Sequence, residues 1–118
     1  MLRIDGLNED KVLTITVGGK LTKQDYTQLL PQVAQMLDEH GKLHFYLKLE
    51  DFSGFEMAAM WEELKFDIKY KDRFGKVAVV GEKEWEKWGT KISAIFFPSE
   101  TRFFYKDQTT QAWQWINA

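Results

Sequence analysis

Lys42 to Glu56, KLHFYLKLEDFSGFE, decides the fold. Leu43, Phe45, Leu47 and Leu49 share one parity, and His44, Tyr46, Lys48 and Glu50 share the other, which is the two-residue period of a strand with an apolar inner face. Tyr46 leaves the second face only partly polar. The alternation breaks at Asp51-Phe52-Ser53-Gly54, where acidic, hydroxyl and glycine residues supply turn chemistry. Beyond it Met57, Met60, Trp61, Leu64 and Ile68 recur at helical steps, while Phe66 and Tyr70 fall off that stripe. The stretch predicts a strand, an acidic turn and a helix ending between Tyr70 and Phe74.

Upstream, Leu2 and Ile4 alternate with Leu7 beyond them, Gly6 to Asp10 can turn, and Val12 to Val17 is a β-branched run that Gly18-Gly19 should end. A β-hairpin follows from this order. Thr22 then starts a helix, since its hydroxyl can accept from a free first-turn amide and Asp25 puts negative charge at the positive end. Tyr26, Leu29, Leu30, Val33, Met36 and Leu37 make its apolar stripe, and Gly41 stops it. Pro31 inside the stripe predicts a kink, or else a second helical segment that begins there.

Downstream, Lys76 to Val80 is a short continuous apolar run, as expected of a strand covered on both faces and closed by Gly81. Trp85, Trp88, Ile92 and Ile95 form a third helical stripe that Pro98 ends, with Lys83, Lys87 and Lys91 on another face. Arg102 to Tyr105 is a last strand. Asp107 or Thr109 can cap a short final helix carrying Ala112, Trp113 and Ile116. Strands alternating with helices after a hairpin define an α/β domain with right-handed parallel crossovers, about five strands in a mixed, mostly parallel sheet and about four helices. At 118 residues the whole chain, 1–118, is expected to be one domain.

Composition narrows the function classes. With 44% hydrophobic and 15% aromatic residues the chain can bury a core, which argues against disorder. Sixteen Lys and Arg against eighteen Asp and Glu leave a net charge of −2, so a nucleic acid would find no positive field. The absence of cysteine removes disulfides, thiolate metal sites and thiol nucleophiles together. MLRIDGLNEDK has no apolar run of the signal-peptide kind, and nothing approaches a membrane span, so a cytoplasmic location is expected.

Gly19-Lys20-Leu21-Thr22, Leu47 to Phe55, Leu64 to Lys69, and Val77 to Gly81 with Trp85-Glu86-Lys87-Trp88 together resemble the STAS domain, the fold of anti-sigma-factor antagonists, and more closely the SpoIIAA-like family of small bacterial proteins. The resemblance implies a non-enzymatic binding or switching module. It also implies a phosphoacceptor serine after an acidic turn, for which Ser53 is the match, with Phe52 where such turns carry a small hydroxyl residue. A further likeness to lipid-binding domains of the CRAL-TRIO type implies an apolar ligand.

Three groups of residues are therefore candidates. Ser53, read at a helix N-terminus, could carry a phosphate facing free amides, although Asp51 and Glu56 would repel it; its bland reading is a cap. Trp85, Trp88, Ile92, Phe96 and Phe97 end in two consecutive rings that cannot both face one core, which suggests a pocket flap or a membrane-resting face against the plainer reading of core packing. Trp61 and Phe66, with Met57 and Met60, could line the same cavity, or simply fill the core. His40 and His44 lie too far apart in character, one at a helix end and one on a strand, to suggest a metal site, and Gly18-Gly19-Lys20 lacks the spacing of a phosphate loop.

The resulting expectation is a non-enzymatic module for a small hydrophobic ligand or lipid, with no cofactor, no metal and no nucleic acid. Peripheral contact at the inner membrane surface and a homodimer, suggested by the excess of aromatics, accompany it. The alternative is a partner-switching regulator that meets a protein partner through Ser53.

Overall fold

The apolar alternation of Leu43 to Leu49 becomes the middle strand of a five-stranded sheet in the computed structural model, which describes residues 1–56, 72–82, 89–96 and 99–118. The elements run β1 (Leu2–Leu7), β2 (Val12–Leu21), α1 (Lys23–His40), β3 (Leu43–Phe55), β4 (Phe74–Gly81), α2 (Gly89–Phe96), β5 (Thr101–Tyr105), a 3-10 turn (Lys106–Gln108) and α3 (Thr109–Asn117). Spatial order equals chain order, β1-β2-β3-β4-β5. β1 and β2 pair antiparallel as a hairpin, and every later neighbour is parallel.

Because each parallel strand adds on the same side, right-handed crossovers place their helices on one face of the sheet. Tyr26, Val33 and Leu37 of α1 and Ile92 and Phe96 of α2 accordingly share one core with Leu13, Ile15, Phe45, Leu47, Leu49, Val77 and Val79. The opposite parity, Val12, Tyr46, Ala78 and Val80, packs beneath Ala112 and Ile116 of α3. β4 is buried on both faces, as its unbroken apolar run requires.

Helix α1 begins as expected. The Asp25 amide donates to the Thr22 hydroxyl at 3.1 Å and the Thr22 amide donates to the Asp25 carboxylate at 3.2 Å, a reciprocal cap. Its end is also as expected, with Gly41 at φ +80° donating its amide to the Leu37 carbonyl. Pro31 stands inside one continuous element, not at the start of a second.

Several expectations are corrected. β2 does not stop at Gly18-Gly19, and Asp51 to Gly54 is not a turn leaving the sheet; both strands run on to Leu21 and Phe55. Gly18 pairs with Glu50 and Lys20 with Gly54, so Asp51, Phe52 and Ser53 stand opposite the single residue Gly19. This is a β-bulge. It needs left-handed backbone at Gly19 (φ +58°), Asp51 (φ +50°) and Gly54 (φ +114°), which is why turn-forming residues occupy a strand. After the bulge the inward parity resumes with Leu21 beside Phe55. The N-cap position of the last helix falls at Gln108, whose side chain makes no capping bond to it, and not at Asp107 or Thr109, because the 3-10 turn delays the helix. Three α-helices are present among the described residues, and the helix expected over Met57 to Ile68 lies outside them.

Candidate functional site

The bulge helps to shape an apolar cavity. Between α1, α2 and the carboxyl ends of β2 and β3 lies a space of about 70 Å³. Tyr26, Leu29 and Val33 wall it from α1, Leu21, Leu49, Phe52 and Phe55 from the strand ends, and Ile92 and Phe96 from α2. Among the described residues no polar atom faces into it. Ligands of open α/β sheets gather at the carboxyl ends of strands, where this cavity sits.

Each wall has a local cause. Phe52, carried at the bulge, turns toward the core and meets Phe55 edge-on at 5.3 Å and 80°. Tyr26, Leu29 and Val33 project from one side of α1 at three- and four-residue spacing. Ile92 and Phe96 stand one helical turn apart on α2 and are both buried. Phe96 packs between Phe45 at 5.3 Å and Phe74 at 5.8 Å. Burial pushes the Tyr26 phenol pKa up, so its hydroxyl stays protonated at neutral pH. None of the described lining groups is a nucleophile or titrates near neutrality; such a wall can bind and exclude water, and it supplies no reactive group.

Of the residues singled out from sequence, Ile92 and Phe96 line the cavity together. Phe96 is core and cavity wall at once, which removes it from any membrane-resting face: its four-residue spacing from Ile92 turns it inward. Trp61, Phe66, Trp85, Trp88 and Phe97 lie outside the described residues. Ser53 is exposed within β3 at the bulge, so the expected position at a helix N-cap is corrected. Sequence reasoning missed Tyr26, Leu29, Val33, Phe52 and Phe55 as lining residues. The first three were legible only as a core stripe; the resumed apolar parity of Leu21 and Phe55 was the available sign of the bulge.

Two titratable groups away from the cavity hold hydrogen bonds of the sheet. His44 accepts the Lys76 amide through Nδ1 at 2.8 Å, and burial, then the Lys76 and Lys42 charges, lower its pKa. Burial alone would raise Asp5, but hydrogen bonds from Thr16 and Arg3 and the charges of Arg3 and Lys48 hold it below the usual carboxylate range. Among the described residues no group of three His, Asp or Glu side chains could hold a metal ion. No helix there is long and apolar enough to cross a membrane.

A hairpin leading into a parallel sheet, with the connecting helices gathered on one face and a C-terminal helix on the other, defines an α/β domain of the SpoIIAA-like fold. The SpoIIAA-like family model matches residues 12–117, and the chain belongs to that family. A similar solved structure is that of an uncharacterized protein from the DUF3478 family with a SpoIIAA-like fold from Shewanella loihica PV-4. It is 27% identical, the match covers 98% of this chain and 92% of that one, and the TM-score is 0.73. Comparison with curated proteins yields no match.

Proposed function

We propose that this SpoIIAA-like domain is a non-enzymatic binding module that receives the apolar end of a small hydrophobic or lipid-like ligand between α1, α2 and the sheet. The observation that carries the reading is the wholly apolar cavity walled by Ile92, Phe96, Phe52 and Tyr26. Its size sets the ligand. An apolar cavity of about 150 Å³ holds benzene, and whole-ligand sites span about 300–1,000 Å³. At about 70 Å³ this one admits a chain end, leaving the rest of the molecule outside. Among the described residues no polar group faces inward, which gives selection by length and shape, with no hydrogen bonds from them to read a headgroup.

Thermal unfolding of the full chain with straight-chain fatty acids of increasing length tests this. A ligand at a hundredfold its dissociation constant adds about 2.7 kcal/mol, which raises the melting temperature by roughly 10 °C in a domain of this size. The rise should depend on chain length and disappear in Leu29→Trp, which fills the cavity from its rim. No shift at any length, with no co-purifying apolar molecule in native mass spectrometry, would overturn the reading. The second reading, partner switching at Ser53, is favoured by the exposure of that hydroxyl on the bulge. It is to be abandoned if Ser53→Asp changes no pull-down partner and cells show no phosphorylation there.

A further inference from the structure

The face of the sheet opposite the cavity is covered by one helix among the described residues. α3 has nine residues, which at 1.5 Å per residue span about 13 Å. It seats Ala112 and Ile116 over Val12, Tyr46, Ala78 and Val80 and leaves Lys48 half-buried and Glu50 exposed farther along β3. There a groove of about 470 Å³ lies among Thr14, Tyr46, Lys48, Glu50, Lys106 and Trp113, within the size range of small-molecule sites.

Two features of its lining stand apart from the rest of the surface. Trp113 is 42% exposed, yet its ring is held edge-on against the buried Tyr46 ring at 5.2 Å and 86°. The neighbouring Trp115 is covered by Lys76 at 5.3 Å and Arg102 at 4.9 Å, whereas no cation lies over Trp113 among the described residues. A fixed, uncovered indole therefore walls the groove.

The charges on the floor are likewise unequal. Lys106 is paired with Glu82 at 2.9 Å, and Arg3 with Asp5 at 2.8 Å. Lys48 and Glu50, on the same side of β3, make no ion pair or hydrogen bond among the described residues; Lys48 feels Asp5 at longer range, and Glu50 feels Arg3 and Lys106. One unpaired cation and one unpaired anion thus stand two residues apart, about 7 Å between their Cα atoms. A ligand with only a carboxylate would gain Lys48 and be repelled by Glu50, and a ligand with only an ammonium would meet the reverse. A molecule carrying both satisfies both, and the flexible lysine stem can close the remaining distance.

We propose that this groove binds a free aromatic α-amino acid, with its carboxylate on Lys48, its ammonium on Glu50 and its ring against the exposed indole of Trp113. Partly exposed ion pairs are weak, so the dissociation constant belongs in the range of about 0.1–1 mM. The site lies across the sheet from the apolar cavity and stands independently of it.

Titration of the isotope-labelled full chain by two-dimensional NMR tests the proposal with four probes: L-phenylalanine, 3-phenylpropionate, phenethylamine and L-alanine. L-phenylalanine should saturably shift the amides of Lys48 and Glu50 and the Trp113 indole N–H. Each probe lacking the ammonium or the carboxylate should bind about 2- to 5-fold more weakly, and L-alanine, lacking the ring, should bind more weakly than L-phenylalanine. Lys48→Gln and Glu50→Gln, on accessible side chains, should each weaken L-phenylalanine by a similar factor while leaving the melting temperature and any fatty-acid response unchanged. Absence of a saturable shift with L-phenylalanine, equal binding of 3-phenylpropionate or phenethylamine, shifts confined to the cavity residues, or undiminished affinity in both folded variants would each overturn it.

Discussion

Gly75→Ala should destabilise the protein only while His44 is present. A β-carbon at Gly75 would overlap His44 Nδ1 and Cε1, so the imidazole has to leave. That ring accepts the Lys76 amide at 2.8 Å, and its departure leaves a part-buried N–H without its acceptor. The cost of such a loss is about 1–3 kcal/mol, or a fall of roughly 4–12 °C in melting temperature. His44→Ala removes the same acceptor and opens the space. In that background the alanine meets no ring, and because glycine is unfavourable inside a strand by about 0.5–1 kcal/mol, Gly75→Ala should become neutral or stabilising. A double-mutant cycle by chemical denaturation, with thermal unfolding in parallel, measures the difference. Equal losses from Gly75→Ala in both backgrounds, additive within about 0.5 kcal/mol, would refute the reasoning, because independent sites behave that way and residues in contact do not.

The remaining predictions concern the same clip and the first helix. The folded pKa of His44 is lowered by burial and by Lys76 and Lys42, so its contribution is complete above the unfolded value of about 6.5 and is lost as pH falls through the folded value. Denaturation midpoints should therefore drop between pH 7 and pH 5, and the drop should shrink in His44→Gln. Thr22→Ala removes the hydroxyl that accepts the Asp25 amide while leaving the backbone amide that donates to the Asp25 carboxylate, and should cost about 1 kcal/mol, read as a lower denaturation midpoint with an unchanged slope. Pro31→Ala should act oppositely. Pro31 is exposed within α1 and lacks the amide that would donate to the Thr27 carbonyl, so alanine there should stabilise by up to about 3 kcal/mol; a loss of stability would show that the proline is accommodated at no cost.

Much of the architecture was legible because burial repeats with the period of the backbone. Leu43, Phe45, Leu47 and Leu49 face the helical side as their parity requires, and Thr22, Asp25 and Gly41 bound α1 through contacts local to the chain. Asp51 to Gly54 misled for a physical reason. The same residue types that let a chain leave a sheet also let it take left-handed backbone while staying in one, and local propensity does not separate a turn from a bulge. The choice between them rests on the partner strand: Lys20 and Leu21 are there to pair with Gly54 and Phe55.

The candidate sites divide in the same way. Sequence alone determined that the chain has an α/β order with a hairpin, that Ile92 and Phe96 share a helical side, and that, without cysteine, it has no thiol chemistry. Tertiary structure decided that Ile92 and Phe96 meet Tyr26, Leu29, Val33 and Phe52 around one apolar space, since those residues come from elements joined only by packing. It also decided that Lys48, Glu50 and Trp113 border one groove, because α3 is too short to cover the second face. Periodicity is a property of neighbouring residues, whereas a cavity is what distant elements leave unfilled between them.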